Sequence, residues 1–179
     1  KGTEHFVSDS HGEHEAFQHV LKNGSGSIKR RIDELFVYEM TEQEKCNLET
    51  LIYYPEQKLP QLLASTDNPA AWFRITLFRL IKLCRSLASK YTRADVRAAL
   101  PDDFALIIEE MLHEQEGIDN KQEYFLSIID TIIALDQADD FIKALSDLIQ
   151  HLAIARLHVI GDVYDRGPGA HVIMDTLMA

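Results

Sequence analysis

The chain has 179 residues, 46% of them hydrophobic and 26% charged, a composition typical of a globular protein with room for one well-packed domain. Its net charge of −11 argues against nucleic-acid binding, which usually needs a basic face. No apolar run reaches the roughly 20 residues of a membrane span. Cys46 and Cys84 lack metal-ligand spacing, so we expect free thiols and a cytoplasmic protein.

The first predicted element is a short strand over His5–Ser8, followed by a turn at Asp9–Gly12. A helix is predicted over Glu13–Asn23, because its apolar residues fall on one face. Gly12 has no side chain and therefore leaves room for another group to approach the turn. The chain thus begins with a strand–turn–helix unit.

Residues 27–156 are predicted to be almost entirely helical, because apolar residues recur at helical spacing and glycine is nearly absent. The predicted helix starts are Ser27, Thr41 with Glu44, Asn68 before Pro69, and Thr92 with Asp95. The apolar faces of these helices are more typical of a bundle core than of an interface.

A second strand–turn–helix unit is predicted at the end of the sequence. The stretch "LHVIGD", residues 157–162, reads as a buried strand that ends in a turn, and a helix begins near Gly169. The predicted fold is therefore a partial α/β core, residues 1–26 and 157–179. A large all-α insertion over 27–156 interrupts this core, and helix dominates.

Both predicted turns carry side chains that suit a metal site. Asp9 and His11 combine a carboxylate with an imidazole, which favours Mn²⁺, Fe or Zn²⁺ over Ca²⁺. Asp162 follows the second strand and converges with them if the strands are neighbours. A carboxylate can then bridge two ions about 3.5–4 Å apart, the arrangement used in two-metal hydrolysis.

Arg166 lies four residues after Asp162, where its guanidinium could grip two phosphate oxygens. Asp165 beside it could hold that guanidinium or orient a histidine. Taken alone, Asp9 or Asp162 is more often a helix cap or turn former than a metal ligand. The additional histidines near the turns are His14, His19 and His171, and each more often has a structural role.

The stretches "SDSHGE" and "GDVYDRG" resemble the first two signature blocks of the calcineurin-like metallophosphoesterases. Their longer contexts, "FVSDSHGEHEAFQHVLKNGSG" and "HVIGDVYDRGPGAHVIMDTLM", resemble class III fructose-1,6-bisphosphatases, the bacterial type. That resemblance implies a gluconeogenic phosphatase that converts fructose 1,6-bisphosphate to fructose 6-phosphate with a divalent metal, Mn²⁺ being the expected ion.

The resemblance also implies a role for each motif residue. Asp9 and His11 would bind one metal, Asp162 would bridge both metals, Arg166 would hold the phosphate and Asp165 would orient a catalytic histidine. The superfamily's later Asn-His block is not found in the sequence. We therefore expect an N-terminal fragment with part of an active site, weak metal binding and little turnover.

Other functions are open at this point. A metallophosphoesterase could act on a phosphoprotein or a nucleotide, because the motifs specify the reaction and not the leaving group. Alternatively, the helical residues 27–156 could serve as an interaction or oligomerisation module. A sugar bisphosphate is the expected partner, neither nucleic acid nor a membrane is expected, and homo-oligomer formation stays open.

Overall fold

The computed structural model describes residues 4–8, 10–23, 26–113, 119–154, 156–164 and 166–178. Within these ranges the protein is mostly helical, as the sequence predicts, and its two predicted strands form a small parallel sheet. The two strands are β1, Glu4–Ser8, and β2, Arg156–Ile160. They pair in parallel from Glu4↔Arg156 to Ser8↔Ile160. Their carboxyl ends therefore lie side by side, and the loops that follow them meet.

One helix follows each strand and its loop. Helix α1, His14–Asn23, follows β1, and helix α10, Ala170–Met178, follows β2. The two helices contact each other. Phe17 of α1 and Ile173 of α10 are buried, but neither belongs to the hydrophobic cluster of the other helices. The sheet and its helices thus have a small core of their own.

Within the described residues, the eight α-helices that lie between α1 and β2 form what we call the helical block, residues 27–153. They are α2 Ser27–Leu35, α3 Glu42–Tyr53, α4 Pro55–Ala64, α5 Pro69–Ala88, α6 Arg93–Ala98, α7 Ala105–His113, α8 Asp119–Ala134 and α9 Ala138–Ala153. Helix α5 packs against α2, α7, α8 and α9. Its buried residues join those of α9, including Leu80 and Phe141, in one hydrophobic core.

Most of the predicted helix starts are confirmed. Thr41 and Thr92 each form a complete capping box with the acidic residue three positions later, and the Asn68 side chain accepts a hydrogen bond from the Ala71 N–H. The prediction for Ser27 is wrong. Gly26, in a left-handed conformation, precedes the helix, so Ser27 is its first residue and lies past the capping position.

The helical block and the sheet region meet at a polar contact. The ring Nδ1 of His19, in α1, lies 2.9 Å from the hydroxyl of Tyr54, the residue between α3 and α4. Within the part of the chain that the structure describes, no helix is long and apolar enough to cross a membrane. Even α5, which has 20 residues, carries basic side chains along its length.

Candidate active site

The loop after β1 turns sharply at the first motif. His11 and Gly12 have φ of +47° and +70°, so two consecutive residues are left-handed. The Glu13 N–H donates to the Ser10 carbonyl over 2.8 Å and closes the turn before α1 begins. A left-handed histidine is unusual, and such strained residues concentrate at functional sites. Asp9 lies outside the described residues.

The loop after β2 begins with Gly161, whose φ is +94°. Asp162, Tyr164 and Arg166 in this loop are exposed. A cavity of about 440 Å³ opens beside the first half of the loop and is lined by Gly161, Asp162, Val163 and Tyr164. Asp165 lies outside the described residues, so its predicted orienting role stays a prediction.

Backbone hydrogen bonds join the two loops. The His11 N–H donates to the Asp162 carbonyl over 3.0 Å, and the Gly167 N–H donates to the His11 carbonyl over 2.5 Å. The Gly169 N–H donates to the Gly12 carbonyl over 2.9 Å. These bonds bring His11 and Asp162, two of the predicted ligands from opposite ends of the sequence, into adjoining positions.

Glycines make this close approach of the two loops possible. A Cβ on Gly167 would lie 2.5 Å from the carbonyl carbon of Gly12, and a Cβ on Gly12 would overlap the Gly167 carbonyl. A Cβ on Gly169 would lie 2.7 Å from the Cβ of His14. The room that Gly12 leaves is therefore filled by the backbone of the second loop. We call these three residues the glycine joint.

The donor chemistry of the joined loops fits a transition metal. The loops supply the imidazole of His11 and the carboxylate of Asp162, which such ions accept together. Two buried polar atoms in this region, Ser10 Oγ and His14 Nε2, have no hydrogen-bond partner within the described residues. The same residues contain no complete group of three metal-ligating side chains. The predicted ligand Asp9 is not among them.

The additional histidines differ in their surroundings. His14 packs by its Cβ close to Gly169 and therefore lies at the joint between the loops. His19 faces Tyr54 instead, and His171 is exposed on α10. The sequence did not favour His14 over the other two histidines as a site residue. It also did not point to Tyr164, which lines the cavity, or to Gly169, which lies at the joint. The signal that identifies Gly169 is its position two residues after the second motif, where a loop must pass close to another backbone.

Comparison with known proteins identifies the family. The model of the Firmicute fructose-1,6-bisphosphatase family matches residues 1–179. A protein named fructose-1,6-bisphosphatase class 3 from Clostridium novyi (strain NT) is 58% identical over 178 residues, which are 99% of this chain and 27% of that protein. A protein of the same name from Clostridium botulinum (strain Loch Maree / Type A3) is 58% identical over 177 residues, which are 99% of this chain and 26% of that protein.

No solved structure matches the chain. The chain spans about a quarter of the length of the curated relatives it matches, 27% and 26% of the two proteins named above. The family model nevertheless covers the whole chain, including both motifs and the helical block. The chain therefore belongs to the Firmicute fructose-1,6-bisphosphatase family.

Proposed function

We propose that the natural protein containing this chain hydrolyses fructose 1,6-bisphosphate to fructose 6-phosphate and phosphate, and that this chain supplies part of the active site. The observation that carries the proposal is the glycine joint, which holds both phosphatase motifs together in a chain 58% identical to proteins named for this reaction.

The proposed site uses divalent metal ions, with Mn²⁺ as the expected ion. Asp9 and His11 would hold one ion, and Asp162 would bridge it to a second. The donor set supports this part of the proposal, because His11 and Asp162 adjoin. Ser10 Oγ and His14 Nε2 have no hydrogen-bond partner within the described residues. When bound, such ions supply positive charge that polarises the phosphoryl group and lowers the pKa of water.

The side chains of the second loop then have separate tasks. Arg166 is exposed at the loop surface, where its planar guanidinium would bind two oxygens of the departing phosphate. Charge that develops on those oxygens in the transition state would strengthen this contact. Asp165 would accept a hydrogen bond from a histidine and fix that ring's orientation.

The same proposal extends to architecture. The parallel strands β1 and β2, with their loops and helices, would form part of a metallophosphoesterase core that other segments of the natural protein complete. Two observations support this. The second motif's loop opens onto a wide cavity, and Phe6 and Ile160 of the sheet are 65% and 56% exposed. Parallel strands are normally covered on both faces.

The test of function is phosphate release by the longest natural chain that contains this sequence. Fructose 1,6-bisphosphate, a phosphopeptide and a nucleoside monophosphate are compared at equal concentration, with and without Mn²⁺. We expect kcat/KM for the sugar to exceed the others by about tenfold or more, because one site discriminates leaving groups by differential transition-state binding. Preference for either alternative, or activity independent of metal, would contradict the proposal.

The assignment of Asp162 is tested separately by metal binding. Asp162→Asn removes the carboxylate and keeps the shape of the side chain. Mn²⁺ affinity measured by calorimetry should fall by about tenfold or more, because even residues that only support a metal ligand contribute that much. Asp175→Asn is the matched control, because Asp175 is an exposed aspartate of α10. Equal affinity in both variants would make Asp162 a turn residue only.

A further inference from the structure

The cavity beside the second loop has an aromatic side chain in its wall. Tyr164 lies in that wall together with Asp162, and its side chain is 68% exposed. It is the one aromatic residue among those lining this cavity in the described structure. A large exposed aromatic ring next to a proposed ligand for metal therefore needs an explanation.

Two other exposed aromatic residues of the protein have local contacts that account for their positions. The Phe6 ring stacks on His158 with centroids 4.6 Å apart, and the Tyr124 hydroxyl donates to Glu110 over 3.0 Å. Within the described residues, no hydrogen bond and no ring contact is found for Tyr164. Tyr38, which is 99% exposed, likewise has neither contact within those residues, so what sets Tyr164 apart is its place beside Asp162 in the wall of the cavity.

We infer that Tyr164 is a specificity-determining residue whose ring contacts the sugar of the substrate. The inference rests on the proposed fructose-1,6-bisphosphatase function and adds to it the surface that recognises the leaving group. A furanose ring carries C–H groups that can cover an aromatic face, and removal of this apolar area from water favours binding. Metal ligands and Arg166 handle the phosphoryl group, which every phosphate monoester shares, so discrimination must come from a neighbouring group.

The sequence context agrees with this role. Tyr164 lies between Asp162 and Arg166 in the chain, so a sugar attached to a phosphate held at those residues would be near the tyrosine. Aromatic side chains with few precisely placed polar groups are the usual lining of small-molecule sites. The space of about 440 Å³ beside the loop is open to solvent, so a compact sugar phosphate can reach the tyrosine ring.

The experiment compares Tyr164→Ala and Tyr164→Phe in the longest natural chain that contains this sequence, assayed with Mn²⁺ on fructose 1,6-bisphosphate and on β-glycerol phosphate, a monoester without a ring. For Tyr164→Ala we expect kcat/KM on the sugar to fall about tenfold, mostly through KM, and the sugar-to-glycerol selectivity to fall about fivefold. Tyr164→Phe keeps the ring and should recover most of both values.

Tyr38→Ala is the matched control. Tyr38 is a fully exposed tyrosine in the turn between α2 and α3, so its removal should change neither value. Equal losses on both substrates for Tyr164→Ala, or no loss on either, would overturn the specificity role. Wild-type protein that releases no phosphate from the sugar would overturn the proposed function and this inference with it. A wild type active on the sugar with unaltered selectivity in Tyr164→Ala overturns the inference alone.

Discussion

The helical block and the pair of loops at the sheet are held together in different ways. In the block, side chains from α2 to α9 fill one hydrophobic core, and burial even raises the pKa of the Cys84 thiol and the Tyr53 phenol. At the loops, contact is backbone against backbone, through hydrogen bonds and glycines that lack the atoms to interfere. Side-chain packing adjusts to similar volumes, whereas the glycine joint has no room for a methyl group.

The largest expected effect comes from the core of the block. Phe141 is fully buried, and its ring meets Phe104 edge to face with centroids 5.1 Å apart. Phe141→Ala should lower the free energy of unfolding by about 3–5 kcal/mol, because it leaves a cavity. Urea unfolding followed by far-ultraviolet circular dichroism measures this loss.

Leu106→Ala is the control for this substitution. Leu106 lies on α7 and is 82% exposed, so its replacement should change stability by no more than about 0.5 kcal/mol. Similar losses for both variants would mean that burial does not decide stability in the block.

A smaller effect, confined to the loops, is expected for Gly12→Ala. Gly12 and Gly26 have similar φ, +70° and +76°, but a Cβ at Gly26 meets nothing within 4 Å in the described structure. Gly26→Ala should cost about 1 kcal/mol from backbone strain. Gly12→Ala should lower the free energy of unfolding by about 3 kcal/mol, because the new methyl group also displaces the second loop.

Amide hydrogen exchange localises this difference. The loop donors, the N–H groups of His11, Gly167 and Gly169, should exchange faster in Gly12→Ala and at the wild-type rate in Gly26→Ala. Any change in the protection of α9, a core helix of the block, should be smaller than the change at these loop donors. Unchanged exchange of the loop donors in Gly12→Ala would show that the glycine joint does not hold the loops.

The smallest effect concerns pH and the capping box of α3. The Glu44 carboxylate accepts a hydrogen bond from the Thr41 N–H over 2.9 Å, and this bond lowers the pKa of Glu44 below its ordinary 4.5. Because the pKa of Glu44 is lower in the folded state, its ionised carboxylate stabilises the protein at pH values above 4.5. The protein loses this stabilisation as the pH falls through the folded-state pKa of Glu44. Glu44→Gln should reduce the loss of folding stability between neutral and acid pH, by less than about 1 kcal/mol since the side chain is partly exposed.

Glu49 in the same helix provides a control of opposite sign. Burial raises the pKa of Glu49, so its charge disfavours the folded state as the pH rises through 4.5. Glu49→Gln should therefore increase stability near neutral pH relative to acid. Urea midpoints from pH 3 to pH 7 test both variants, and slopes of the same sign would contradict the assigned causes.

Local patterns predicted the helical block well and the glycine joint only in part. Thr41 and Thr92 were identified correctly because a capping box depends on residues three positions apart. The helix cap was predicted at Ser27, one position too late, because the left-handed Gly26 occupies the capping position and Ser27 is already helical. At the loops, the sequence marked Gly12 as open to approach but could not say by what. The roles of Asp9, His11, Asp162, Asp165 and Arg166 stay predictions.

The sequence by itself predicted the helical segment, the two short strands and the motif residues at their ends, because each depends on neighbours within a few positions. The predicted helical segment, 27–156, ran too far, since helix α9 ends at Ala153 and Arg156 begins β2. The tertiary structure decided that β1 and β2 pair in parallel and that His11 and Asp162 share a hydrogen bond. That pairing joins residues about 150 positions apart. Such a contact depends on where the fold brings distant parts of the chain, which patterns of near neighbours in the sequence do not specify.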